Sequence, residues 1–164
     1  MNEVTQNPPA PAAGTAVAVD PIASAPAGNL PAAIGAGLIA SLAGAIVWAV
    51  ITVATKMQIG FMAVGVGLLV GWAVRRFGQG TQPVFGVIGA ALALLGCAAG
   101  NLLSACSFLA SAQGKGILDV VGLIAPHPAV GVRLMQATFN EMDLFFYAIA
   151  VYEGYKLARI PTRR

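Results

Sequence analysis

Residues 59–74 read IGFMAVGVGLLVGWAV and are followed at once by Arg75 and Arg76. The stretch carries four glycines and no charge. At about 100° per residue on a helix, Gly60, Ala63, Gly67 and Gly71 fall in one narrow stripe. Phe61, Met62, Leu68, Leu69 and Trp72 fall roughly opposite. A soluble amphipathic helix separates polar from apolar residues; this one separates small from large. That separation suits a helix in lipid, where small residues let neighbouring backbones approach closely.

The composition agrees. Of 164 residues, 58% are hydrophobic and only 9% charged, against a charged share of about 25% in ordinary soluble domains. Mean hydropathy is +0.81. Such a chain lacks the residues to make a charged skin. The net charge of +3 does not point to nucleic acid. Its basic residues are scattered or flank apolar runs, where positive charge marks the cytoplasmic side of a membrane. No basic patch with interleaved aromatics is present.

Working toward the N-terminus, 32–55 is a spanning segment. No charge interrupts the chain between Asp20 and Lys56. Its helix reaches about 36 Å, enough for a hydrocarbon core of about 30 Å. Ala33, Gly37, Ala40, Ser41, Gly44, Trp48, Thr52 and Thr55 share one face, with Leu38, Ile39, Leu42, Ile46 and Val50 on the other. Lys56, Met57 and Gln58 are too short a connection for anything but an antiparallel hairpin, so the second span is set at 57–74. Before 32 lies a tail, 1–31, rich in alanine and holding six of the ten prolines. It has too little bulk to fold alone and is expected to be a disordered cytoplasmic segment. It has neither the basic start nor the apolar core of a secretory signal.

Toward the C-terminus, 75–83 reads as a loop from its glycines, glutamines and proline. The third span is 84–112. Gly86, Gly89, Ala93, Gly96, Cys97, Gly100, Ser104, Ser107 and Ser111 line one face; Leu94, Leu95, Leu102, Phe108 and Leu109 lie away from it. Gly67/Gly71 and Gly96/Gly100 each match the G-x-x-x-G close-packing spacing. Cys97 and Cys106 are nine residues apart in this run, roughly 13 Å along a helix and about 180° around it. They read as small buried apolar residues. Residues 116–142, broken by Pro126 and Pro128, read as an interfacial or re-entrant helical segment. His127, between those prolines, has no cysteine or carboxylate at ligand spacing and reads as a loop residue.

The fourth span is 143–159, with Asp143 as its N-cap and Tyr147, Tyr152 and Tyr155 suited to an interface belt. Glu153 is the one acid in an apolar run. Intramembrane acids are functional by default, but Lys156 stands three residues on, where it can pair. Residues 161–164 form a basic tail. The fold class is therefore an all-α membrane protein: four transmembrane helices, a small-residue-packed helical hairpin core and an interfacial segment between spans three and four. With four spans, Arg75, Arg76, Lys156, Arg159, Arg163 and Arg164 lie on one side; Lys56, Lys115 and Arg133 lie on the other. Six against three sets both termini in the cytoplasm.

Three segments carry a resemblance: GAGLIASLAGAIVWAVITVATKMQIGFMAVGVGLLVGWAVR from Gly35, PVFGVIGAALALLGCAAGNLL from Pro83, and MDLFFYAIAVYEGYKLA from Met142. Over roughly 32–112 and 142–158 the chain resembles a group of uncharacterised bacterial small multi-pass membrane proteins, some with a zinc-ribbon-like segment ahead of the first span. The resemblance implies the inner membrane and four spans. It implies no activity. No cysteine precedes Cys97, so the group's zinc binding does not carry over.

For function the sequence supports a structural or partner-binding membrane module. The bilayer is its first partner; further copies of itself or other membrane proteins follow. The candidate packing residues are Gly37, Gly44, Gly60, Gly67, Gly71, Gly86, Gly89, Gly96 and Gly100. The alternative is a small oligomeric transporter or channel subunit, in which Asn101 and Glu153, with Thr52 and Ser104, supply the polar groups. An enzyme is not expected: no HExxH, GxSxG or paired-acid motif is present. No cofactor or metal is expected, and no catalytic residue is assigned.

Overall fold

Asn29 opens the first helix. In the computed structural model of the protein, which describes residues 28–57 and 59–159, the Asn29 side chain accepts a hydrogen bond from the Ala32 amide at 3.0 Å. Pro31 follows in the first turn, where a missing N–H removes no helical bond. Helix α1 therefore runs Leu30–Thr55, and Leu30 and Pro31 belong to it rather than to the tail expected over 1–31. Expectations for 1–27 and 161–164 lie outside the described residues.

The second helix is displaced from its expected bounds at both ends. Lys56 closes α1 in the left-handed region at φ 54°. The chain then turns through Ile59 and Gly60, whose carbonyls accept from Met62 and Ala63 at 3.1 and 3.0 Å. Helix α2 is Met62–Gly78, not 57–74. Arg75 and Arg76 are its last turn rather than a loop, where cations face the free carbonyls at the negative end of the helix. Gln79 ends it at φ 52°, its amide donating to the Arg75 carbonyl.

Pro83 begins α3 (Pro83–Gln113), again in the first turn. Gly114, at φ 64°, ends it, donating to the Ala110 and Ser111 carbonyls. The stretch expected as an interfacial or re-entrant segment broken by Pro126 and Pro128 is two helices divided at that break, α4 (Ile117–Ile124) and α5 (Pro128–Thr138). They are bent by 118° across the Pro126 and Pro128 break. The last helix, α6, is Glu141–Ala158. Its N-cap is Asn140, not Asp143. The Asn140 side chain accepts from the Met142 and Asp143 amides, and Asp143 Oδ2 accepts from the Asn140 amide at 3.0 Å. This reciprocal exchange satisfies donors on both sides of the helix start.

The described residues are thus all-helical, and four helices form the central unit. α1 and α3 run parallel: Ser41 Oγ donates to the Leu92 carbonyl at 3.0 Å, and further along Gly100 meets Trp48. α2 and α6 also run parallel, Gly60 facing Phe146, Gly67 facing Ala150 and Gly71 facing Leu157. The two pairs are antiparallel to each other, with Gly89 of α3 on Gly154 of α6. α4 and α5 lie on the C-terminal half of α3, where Cys106 and Ala110 pack with Val120 and Ile124.

Small residues make up much of the interior, joined by Trp48, Phe85, Val70, Val74 and Tyr147, while many large apolar residues face out. Leu38, Ile39, Leu42, Ile46 and Val50 on α1, Leu68, Leu69 and Trp72 on α2, and Leu94 and Leu95 on α3 are exposed, Ile39 at 73%. An apolar exterior this extensive is what a protein solvated by lipid presents. α1 and α3 are each long and apolar enough to cross a membrane, and the bent α4–α5 pair passes the same test if counted as one span.

Candidate functional site

The interior is built from three glycine seams and one polar cluster. On the first seam, α2 meets α6. A methyl group added at Gly67 would collide with the backbone of Ala150, and one at Gly71 would sit 2.9 Å from Leu157 Cβ. At Gly60, just before α2, it would lie 2.7 Å from the Phe146 ring. On the second seam, α3 meets α6: Gly89 lies on the Gly154 carbonyl, and Gly86 on Tyr155 and Arg159. The third joins α1, α2 and α3. Gly37 contacts Leu92 and Val74, Gly44 contacts Val66, and Gly96 contacts Val66 and Ser41. Gly100 completes it against Trp48 and Ala45. All nine glycines singled out in the sequence stand at contacts between segments. Gly35 and Gly65 do not; a methyl at either meets nothing within 4 Å.

The polar cluster lies where α1, α3 and α6 converge. Trp48, Thr52, Asn101 and Ser104 are fully buried. The Trp48 ring meets the Tyr147 ring edge-on, centroids 6.5 Å apart. Tyr147 Oη donates to the Cys97 carbonyl at 3.0 Å, tying α6 to α3, and the Asn101 side chain stands beside that hydroxyl. Cys97 Sγ donates in turn to the Ala63 carbonyl at 3.7 Å. One turn along α1 and α3 are Thr52 and Ser104; Ser104 Oγ donates back to the Gly100 carbonyl at 2.8 Å. Within this cluster, Trp48 Nε1 and Thr52 Oγ1 are buried without a hydrogen-bond partner among the described residues.

Glu153 is not part of this cluster. It sits half-buried near the far end of α6, and the pairing expected with Lys156 is not formed among the described residues. The Lys156 ammonium instead lies 5.4 Å from the Tyr152 ring centroid. Asn101 and Glu153, named together from the sequence, are therefore not brought together: Asn101 stands at Tyr147, and Glu153 lies nearly two turns further along α6. His127 is exposed at the cap of α5. Cys97 and Cys106 are both buried and free.

Two buried residues of α6, one of them in the cluster, were misread in the sequence. Tyr147, expected at a membrane interface, is 6% exposed. Asp143, expected as a simple cap, is also buried, with its carboxylate near Gly60. The signal for Tyr147 was its i, i+3, i+7 alignment with Ala150 and Gly154, which places it on the small-residue face of α6. At the opposite end of the molecule, Arg159 Nη1 donates to Tyr155 Oη at 2.9 Å, and the guanidinium also stacks on that ring.

Fold and interior together define, over the described residues, an all-helical structure whose longest helices have the length and apolarity of membrane spans. The chain matches no protein-family model, no curated protein and no solved structure.

Proposed function

We propose that the protein is a four-span, multi-pass inner-membrane module whose work is structural or partner-binding, with both termini in the cytoplasm. α2, at 17 residues, reaches about 26 Å, and α6, at 18, about 27 Å. Each falls a few ångströms short of the hydrocarbon core, a mismatch that tilt or local thinning absorbs. Their pairing in register with the two longer helices supports a crossing by all four. On α6, Glu141 and Lys156 are exposed near its two ends, where they reach the interfaces. Arg75, Arg76, Lys156 and Arg159 gather at one end of the bundle, which favours that end as the cytoplasmic one.

The observation that carries the functional reading is the closure of the core. Along the seams, backbone meets backbone, as at Gly67 and Ala150 or Gly89 and Gly154. Helices this close leave no room for water at these contacts, so the small residues there serve packing. The outward faces are left for lipid and for neighbouring membrane proteins. Liposomes containing the protein should hold proton and potassium gradients as long as empty liposomes do. Dissipation that disappears in Asn101→Leu would contradict the proposal.

A second reading, a subunit of an oligomeric transporter or channel, has one observation in its favour. Trp48 Nε1 and Thr52 Oγ1 are buried polar atoms without protein partners among the described residues. Such atoms incur a desolvation cost that a bound water or polar solute would offset.

A further inference from the structure

A groove of about 510 Å³ runs along the outside of the hairpin between α1 and α2. Its lining includes the buried Ala40 and Ala73, the small residues Ala32 and Gly35, and the exposed Leu69, Trp72 and Phe77 along its edge. It extends from Ala32 to Ala43 on α1, about 16 Å at helical rise, which is half of a hydrocarbon core of about 30 Å. The groove thus matches one leaflet in length. It ends beside Phe77, and the exposed Arg76 holds its guanidinium 5.9 Å from the centroid of that ring. That end of the molecule also carries Arg75, Lys156 and Arg159, with Glu153 the nearest acid in sequence on α6.

We propose that this groove binds an anionic phospholipid, one acyl chain lying between α1 and α2 and the phosphate held by Arg76. The inference rests on the reading that α1 and α2 cross the bilayer. Apolar walls select a hydrocarbon chain, and a chain the depth of one leaflet brings its headgroup to Arg76. The local excess of positive charge selects an anionic headgroup over a zwitterionic one. A guanidinium suits this role because its fork of N–H donors matches phosphate oxygens. Gly35 lines the groove, and a side chain there would project into open space, meeting no protein atom within 4 Å.

Trp72 on the rim is a built-in reporter, and Trp48, fully buried, is an internal reference. The protein is placed in phosphatidylcholine vesicles containing an equal, small fraction of either phosphatidylglycerol or phosphatidylcholine brominated in mid-chain. Brominated phosphatidylglycerol should quench Trp72 in preference, reflecting about fivefold tighter occupancy for one basic contact near the surface. Arg76→Gln should abolish the preference without altering the overall fold. Gly35→Leu should lower quenching by the anionic lipid by filling the groove. The Trp72→Phe variant should lose the preferential quenching altogether. Equal quenching by the two lipids, or a preference that survives Arg76→Gln, overturns the lipid site and leaves the membrane reading standing. No quenching of Trp72 by either lipid overturns both.

Discussion

Gly65, Gly67 and Leu69 stand within two turns of α2 and meet different surroundings. A side chain at Gly67 would strike the backbone of Ala150, which has no rotamer with which to yield. Gly67→Leu should therefore cost about 3 kcal/mol or more and prevent assembly of α2 on α6. At Gly65 a methyl meets nothing, so Gly65→Ala should be neutral or stabilising by up to about 1 kcal/mol through helix propensity. Leu69 is 40% exposed, and Leu69→Ala should change stability by no more than about 0.5 kcal/mol. Unfolding by denaturing detergent, followed by far-ultraviolet circular dichroism, ranks the three. Equal tolerance at all three positions would defeat the packing account. In the polar cluster, Tyr147→Phe removes the bond to the Cys97 carbonyl and should cost about 0.5–1.5 kcal/mol, measured the same way. Glu153→Gln, half-buried at the end of α6 and outside the cluster, should leave stability within about 0.5 kcal/mol of wild type.

At the scale of the element, the small-against-large sorting was legible because a periodicity of 3.6 survives any uncertainty about helix ends. The faces of α1, α2 and α3 follow from spacing alone. The ends themselves were harder to read. Pro31 and Pro83 look like breakers, yet each sits in a first turn where proline has no bond to lose. Arg75 and Arg76 look like a loop after an apolar run, yet they complete α2 at the end where its dipole favours cations. Asp143 looks like a cap, but Asn140 lies where the chain is extended, and that placement is decided by geometry rather than by residue type. The start of α6 offers a test. Asn140→Ala loses two side-chain acceptances, from the Met142 and Asp143 amides, and should cost about 1 kcal/mol. Hydrogen exchange should show the loss confined at first to the first turn of α6. Uniform acceleration along the whole helix would contradict a capping role.

At the scale of the whole molecule, the candidate site was only half visible. The stripe on α3 brought Asn101 and Ser104 into view, but nothing in the order of residues says that Tyr147, fifty positions after Cys97, returns to bond its carbonyl. Long-range pairings of that kind depend on which helices are neighbours, and short loops specify only the α1–α2 and α2–α3 neighbours. Because the glycine seams are consumed inside one chain, they are not available to join two copies. Native mass spectrometry from nanodiscs should therefore give particles containing a single chain of 16.6 kDa. A defined multimer would favour the second functional reading and direct attention to Trp48 and Thr52.

The central claim is that α1, α2, α3 and α6 all cross the bilayer. It is tested most directly by single cysteines at Met57, Thr81, Lys115, Glu141 and Lys156, all exposed, labelled with a membrane-impermeant maleimide from each side of sealed vesicles. The native Cys97 and Cys106 are buried and contribute little background. The account predicts Thr81 and Lys156 labelled from one side and Met57, Lys115 and Glu141 from the other. Met57 and Thr81 on the same side would show that α2 does not cross, and Glu141 and Lys156 on the same side would show the same for α6; either result would contradict the four-span module.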